Sequence, residues 1–274
     1  MNGSYELVIK PRSGWQPINW HEAYLHRELL GFLVWRDIKI RYRQTLLGGV
    51  WAVLQPLMAM LIFTFVFNRL AGVRSDGPPY PLFAFAGLAP WVFFSNALTA
   101  SSNSLVSNQQ LVAKIYFPRV FIPIGAVAAL LVDLGFSLLL LFVLMIKYHW
   151  ALTFHALELP VYILAALLSA SGLGLIFSAL NVNFRDIKYA VPFIIQMGLF
   201  VTPVIYPVSY LPARLRPLLA LNPMTGVVMG FRSALLGTPM DMSVLRLSLI
   251  VSVVLFAVGL LIFRRMERRF ADII

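Results

Sequence analysis

Leu46-Leu-Gly-Gly-Val-Trp-Ala-Val-Leu-Gln-Pro-Leu-Met-Ala-Met-Leu-Ile-Phe-Thr-Phe-Val-Phe67 is a run of 22 residues without a charge. A second uncharged run, Leu159 to Leu180, is equally long at 22 residues. A bilayer core about 30 Å thick is crossed by about 20 helical residues rising roughly 1.5 Å each, so either run can span it. The composition around them agrees: 60% of the chain is hydrophobic and 12% charged, where soluble domains carry roughly 45–50% and 25%. The fold class is therefore all-α and polytopic, in a membrane.

Trimming the uncharged windows at Pro, Gly and charge clusters predicts six spans, at 46–69, 81–104, 119–147, 158–180, 189–207 and 244–263. This divides the chain into a segment 1–45, a six-helix domain 46–263 and a basic tail 264–274. The net charge of +11 would suggest nucleic acid in a soluble protein, but here the basic residues crowd the two ends and the short loops. That pattern is an orientation signal, and it predicts cytoplasmic termini and no nucleic-acid partner. Residues 1–19 carry Lys10 and Arg12 but no apolar run, so a cleavable signal peptide is not expected and the first span serves as insertion signal. With no cysteine, disulfides are excluded.

Three segments outside the spans stand out. Asn19 and Glu22 resemble a capping box that opens a helix through about Arg43. Leu25, Leu29, Phe32, Leu33 and Ile40 share one face of it with Arg36 and Arg43. The preferred reading is an interfacial helix whose arginines reach lipid phosphates; the alternative is a solvated helix. Between spans two and three, Ser107 to Pro118 reads as a short helix with Leu111 and Ile115 one turn apart. It either inserts into a soluble partner or lies in the interface alone. Between spans five and six, Pro207, Pro212, Pro217, Pro223 and Pro239 punctuate an apolar stretch too short to cross, which suggests two short re-entrant helices near 208–238.

The chemistry of catalysis is missing from the sequence. No Gly-x4-Gly-Lys-Ser/Thr phosphate loop occurs, so any ATP-driven role needs a separate nucleotide-binding subunit. His21, His26, His149 and His155 fall in surface segments, and no metal site is expected. Asp133 is the one ionisable side chain well inside a span; a structural hydrogen bond to another helix and a role in substrate passage both remain open. The rings of Trp51, Phe63, Phe65, Phe67, Trp91, Phe93 and Phe94 face lipid on one reading and line a conduit on the other.

The stretches Arg36-Asp-Ile-Lys-Ile-Arg-Tyr-Arg-Gln-Thr-Leu-Leu-Gly48, Leu111-Val-Ala-Lys-Ile-Tyr-Phe-Pro-Arg119, Asn181-Val-Asn-Phe-Arg-Asp-Ile187, Thr202-Pro-Val-Ile-Tyr-Pro207 and Leu221-Asn-Pro-Met-Thr-Gly226 occur in this order. On them the chain resembles the permease subunits of ABC polysaccharide exporters, those of O-antigen, teichoic acid and capsule. The resemblance implies a homodimer of six-span subunits in a bacterial inner membrane, above a cytoplasmic ATPase dimer that binds ATP and Mg. It implies a channel for a lipid-pyrophosphate-linked glycan between the protomers. A coupling helix near 105–117 would then bind the ATPase through Asn108, Leu111, Lys114, Ile115, Tyr116, Phe117 and Arg119. Arg36, Lys39, Arg41 and Arg43 would admit the lipid head group. Channel or gate candidates are Trp51, Phe63, Trp91, Phe94, Phe200, Tyr206, Leu218, Leu219 and Met224.

Two rivals share the composition. An ABC permease for a drug, lipid or other small amphiphile has the same architecture. A membrane-embedded transferase would need an acid/base constellation, which the sequence lacks.

Overall fold

The computed structural model describes residues 26–43, 50–75, 77–114, 117–212, 214–267 and 270, and these form helices and connecting turns with no strand. In chain order the helices are α1 (Arg27–Arg43), α2 (Val50–Phe63), α3 (Tyr80–Ser107), α4 (Gln109–Lys114), α5 (Phe121–Ala129) and α6 (Leu131–Lys147). Then come α7 (Leu159–Asn183), α8 (Ile187–Val201), α9 (Arg216–Ala220), α10 (Pro223–Leu236) and α11 (Met242–Glu267). α2 continues as a wider π-helix over Thr64–Leu70, and a 3-10 turn over Phe154–Glu158 leads into α7.

Five segments are long and apolar enough to cross a membrane: Val50–Leu70, Tyr80–Ser107, Phe121–Lys147, Phe154–Asn183 and Met242–Glu267. These match five of the expected spans to within a few residues. The other, expected at 189–207, is a helix only over Ile187–Val201, 15 residues that rise about 22 Å. Its early end has a local cause. Thr202 turns its hydroxyl back onto the Gly198 carbonyl at 2.7 Å, and Pro203 and Pro207 lack the N–H groups that a continuing helix needs.

α3 is the axis of the bundle, with 78% of its apolar window buried against 11% for Val50–Leu70. Around it pack α7, α10, α5, α2 and α6, and α7 lies closest along α11. Small residues allow that approach. A Cβ on Gly172 would meet the Leu255 carbonyl oxygen at 2.6 Å, and one on Gly259 would collide with the carbonyl of Gly172. Ser169 donates to Ser252 at 3.0 Å across the same seam. Close backbones joined by small and hydroxyl-bearing residues are how helices associate where no hydrophobic drive exists between them.

α10 carries a single charge, Arg232, with the hydroxyls of Thr225 and Ser233 among otherwise apolar residues, and all 14 of its residues are buried. The Asn222 side chain accepts from the Met224 N–H at its start, and Gly237, at φ 69°, ends it in the left-handed conformation. Its last carbonyls are taken by the turn between α6 and α7: Thr153 Oγ1 donates to Ala234 at 2.7 Å and Trp150 Nε1 to Leu236 at 3.2 Å. A helix end inside protein is thereby satisfied.

Two boundaries and one face differ from the sequence reading. Ser107 still belongs to α3, so the short helix expected from about 105 begins at Gln109; Asn108 caps α3 instead, its Nδ2 donating to Ser104 O at 2.8 Å. On α1, Leu33 is buried with Leu29 and Leu30 beside it, while Phe32 and Ile40 are exposed. Packing on α5 selects that narrower stripe over the five-residue face. The capping pair Asn19 and Glu22, with Leu25, lies outside the described residues.

Candidate functional site

Three groups of side chains draw polar or charged atoms into the apolar bundle. The first sits where α1 ends. Arg41 Nη1 reaches Asp133 Oδ2 at 2.6 Å, and the Tyr42 hydroxyl donates to the other oxygen, Oδ1. Asp133 is buried. An intramembrane carboxylate is thus neutralised by a cation from a helix that precedes the first span. On the remaining side of α1, Arg36, Lys39, Ile40 and Arg43 line a cavity of ≈ 290 Å3. Arg36 shares the Asp37 carboxylate at 2.8 Å; among the described residues Lys39 and Arg43 form no ion pair.

Of the four basic residues expected to admit a lipid head group, the structure brings Arg36, Lys39 and Arg43 together and turns Arg41 to Asp133. Helical spacing separates the two sets. At 100° per residue, positions 36, 39, 40 and 43 fall on one stripe, and 41 and 42 on the far side.

The second group is at the same end of the bundle. Phe117, Val120, Phe121, Val112, Leu105, Phe263 and Phe270 join Leu33 in a separate apolar cluster. Arg119 Nη1 donates to the Glu267 carbonyl at 2.8 Å, and its N–H to Glu267 Oε1 at 3.3 Å. Of the expected partner-binding residues, Lys114 is exposed and Leu111 half-buried, while Ile115 and Tyr116 lie outside the described residues. Phe117, at 5% exposure, packs into this chain's own apolar cluster. Pro118 follows it, and the turn into α5 brings Phe117 and Phe121 into the same cluster.

The third group lies at the opposite end, beyond the break of α8. Arg232 of α10 is buried, and its guanidinium donates from Nε to Phe83 O at 3.1 Å, from Nη1 to Pro203 O at 2.6 Å and from Nη2 to Val204 O at 2.5 Å. Its plane stands 3.5 Å over the Phe83 ring centroid. Gly87 leaves room for it: a Cβ there would meet Nη2 at 2.6 Å. Beside it a cavity of ≈ 360 Å3 is lined by Pro207, Ser209, Arg216, Thr238 and Asp241, among others. Arg216 faces Asp241 across its mouth at 3.9 Å. Hydrogen bonding from Ser243, more than the Arg216 charge, lowers the Asp241 pKa below the ordinary carboxylate value.

The expected channel and gate residues are dispersed over this chain. Trp51, Phe200 and Leu218 are exposed, Phe63, Tyr206 and Leu219 half-buried, and Trp91, Phe94 and Met224 buried. Trp91 and Phe94 stack on each other at 5.5 Å, with the Trp91 ring pressed toward Gly198. These two and Met224 are buried in the main apolar cluster of this chain. Sequence reasoning missed Arg232, Tyr42 and Glu267. For Arg232 a signal existed: a lone cation within the otherwise apolar stretch Met224–Leu236.

A multi-pass helical membrane protein with polar clusters set into an apolar bundle is the class these features define. The sequence matches the ABC-2 type transporter family over residues 28–236, and the chain belongs to that family. It is 34% identical over 214 residues to the O-antigen export system permease protein RfbA of Myxococcus xanthus, covering 77% of this chain and 82% of that one. A second relative of that description, from Klebsiella pneumoniae, is 27% identical over 250 residues, 90% of this chain and 95% of its own. The polysialic acid transport protein KpsM of Escherichia coli is 26% identical over 207 residues, 73% and 78% of the two chains.

Proposed function

We propose that this chain is the transmembrane permease subunit of an ABC exporter that moves a lipid-linked, O-antigen-like polysaccharide across a bacterial inner membrane. The observation that carries it is the likeness to O-antigen export permeases along 82% and 95% of their length. The geometry supports it with a basic cavity at one end of an apolar bundle, where a phosphate-bearing head group would bind. No phosphate loop occurs in the sequence, so ATP and Mg belong to a separate ATPase dimer.

In this reading α8 is a short sixth crossing completed by the buried segment 202–207, and α9 and α10 are the re-entrant elements of an outer gate with Leu218 and Leu219 on its surface. α1 lies in the cytoplasmic interface. α4 is the coupling helix, presenting Leu111 and Lys114 to the ATPase. Two copies of the chain meet through exposed faces of α2 and α8, where Trp51, Phe65, Phe193 and Phe200 are unburied. A hydrophilic polymer needs such a walled path, since each unpartnered buried hydroxyl costs on the order of several kcal/mol.

The test is ATP-dependent movement of a radiolabelled lipid-linked glycan in vesicles holding permease and ATPase. Movement that stops when a disulfide staples α9 to its counterpart supports the proposal. Transport of a small amphiphile with no glycan movement overturns it. Because the chain has no cysteine, an impermeant thiol reagent on intact cells checks orientation: Ser75→Cys should label and Asn183→Cys should not.

A further inference from the structure

The Asp133 carboxylate grips two consecutive residues of α1, Arg41 by an ion pair at 2.6 Å and Tyr42 by its hydroxyl. One turn along α6 the hold continues. The Tyr42 ring meets Phe136 edge-on at 6.3 Å, and Ser137 Oγ approaches the Ala52 carbonyl of α2 at 3.4 Å. A short stretch of α6 therefore anchors both the end of α1 and the start of α2. Asp133 is about 18 Å of helical rise from the start of α5, well away from the loop that carries α4.

A helix held at one side is fixed in roll as well as position. Arg41 and Tyr42 project at 140° and 240° from Arg36, taking about 100° per residue, so their shared carboxylate sits close to diametrically opposite the stripe of Arg36, Lys39, Ile40 and Arg43. That stripe lines the ≈ 290 Å3 cavity. Without the Asp133 contact the last turn keeps only the Tyr42–Phe136 ring contact: Ile40 is exposed, and buried Leu33, with half-buried Leu29 and Leu30, lies two turns or more earlier. The electrostatics agree with a positioning role. Asp133 neutralises Arg41, which points away from the cavity, and leaves the charge of Lys39 and Arg43 facing it.

We propose that Asp133 is a positioning residue for an anion site: by gripping Arg41 and Tyr42 it sets the roll of α1 that turns Arg36, Lys39 and Arg43 toward a diphosphate-bearing lipid head. This rests on the head-group reading of the basic stripe given above. The carboxylate never touches the lipid. It determines how well three other side chains do.

The cysteine-free chain permits a direct test in the complete permease–ATPase complex in phosphatidylcholine vesicles. A thiol at the cavity wall, Ile40→Cys, is alkylated by an anionic reagent, and its rate reports the roll of α1. Adding Asp133→Asn, which keeps the shape but not the charge, should change that rate about threefold or more, and Asp133→Glu should restore it, as expected when one charge-assisted contact is lost and regained. A polyprenyl diphosphate should protect the thiol, at a concentration roughly tenfold higher in the Asp133→Asn background, again the scale of one charged contact. Should Asp133→Asn not assemble, the swap of Arg41→Asp with Asp133→Arg, which re-forms the pair, must recover both rate and protection. An unchanged alkylation rate in Asp133→Asn overturns the positioning role. An altered rate with unaltered protection keeps the roll but overturns its link to the ligand. Equal protection by phosphatidylglycerol overturns the head-group reading itself, since the site would then be filled by ordinary bilayer lipid.

Discussion

Replacing Arg232 with Met removes a buried cation but leaves its three backbone acceptors in place. The carbonyls of Phe83, Pro203 and Val204 each lose a donor at 3.1, 2.6 and 2.5 Å. Swapping a whole ion pair for apolar side chains can be neutral; that escape is closed here, because a backbone carbonyl cannot be mutated away. Phe83 O keeps the N–H partner that α3 supplies four residues on, whereas Pro203 O and Val204 O lie past the end of α8, and each costs about 1–3 kcal/mol when orphaned. The neighbouring ≈ 360 Å3 cavity lets water reach the site, so the low end applies and the sum is about 2 kcal/mol. Loss of the cation stacked on Phe83 adds a further ~1 kcal/mol. At roughly 2–4 °C per kcal/mol for a chain of this size, the midpoint of thermal unfolding in detergent should fall by about 6–12 °C. Arg232→Lys, a point charge without the planar fork, should lie between wild type and Met. Hydrogen exchange should rise at Val204 and its neighbours before it rises in α3. A midpoint for Arg232→Met within about 2 °C of wild type, less than 1 kcal/mol on that scale, would refute the view that this arginine holds the broken end of α8 to α3 and α10.

Gly172→Ala should cost about 1–3 kcal/mol or more by the same thermal assay, since its Cβ would stand 2.6 Å from the Leu255 carbonyl oxygen; Gly31→Ala, with open space around it, should gain up to about 1 kcal/mol from helix propensity. Phe117→Ala should lower stability by about 3–5 kcal/mol because its ring is core, whereas Leu111→Ala should weaken pull-down of the ATPase while leaving the permease midpoint near wild type. The folded pKa of Asp241 is depressed, so its contribution is present above the ordinary carboxylate value and is lost as pH falls through the lower folded one. Proteolysis of the Thr238–Met242 connection should therefore accelerate only below about pH 4, and Asp241→Asn should show the faster rate already at neutral pH.

The helices of this protein were legible in its sequence because lipid leaves the backbone no other partner: a long uncharged run must hydrogen-bond within itself. Five spans, the short helix before Phe117 and the Pro-punctuated pair α9 and α10 all follow from charge, length and proline position. The basic stripe of α1 was legible too, though not its internal division. Which of four neighbouring cations turns to protein and which to the cavity depends on a carboxylate 92 residues away from Arg41. The aromatic rings were the least legible, since the same Trp or Phe suits lipid, conduit or core. Trp91 and Phe94 proved to be core and Trp51 exposed.

What the sequence determined alone is everything set by local rules: helical periodicity, membrane-crossing length, breakers, and the lack of any nucleotide-binding loop. Only the tertiary structure decided the pairings, Asp133 with Arg41 and Tyr42, Arg119 with Glu267, and Arg232 with carbonyls from two other segments. The physical reason is that a charge buried among helices needs a counter-charge or a dipole within hydrogen-bond reach, and which helix supplies it depends on packing between segments distant in the chain.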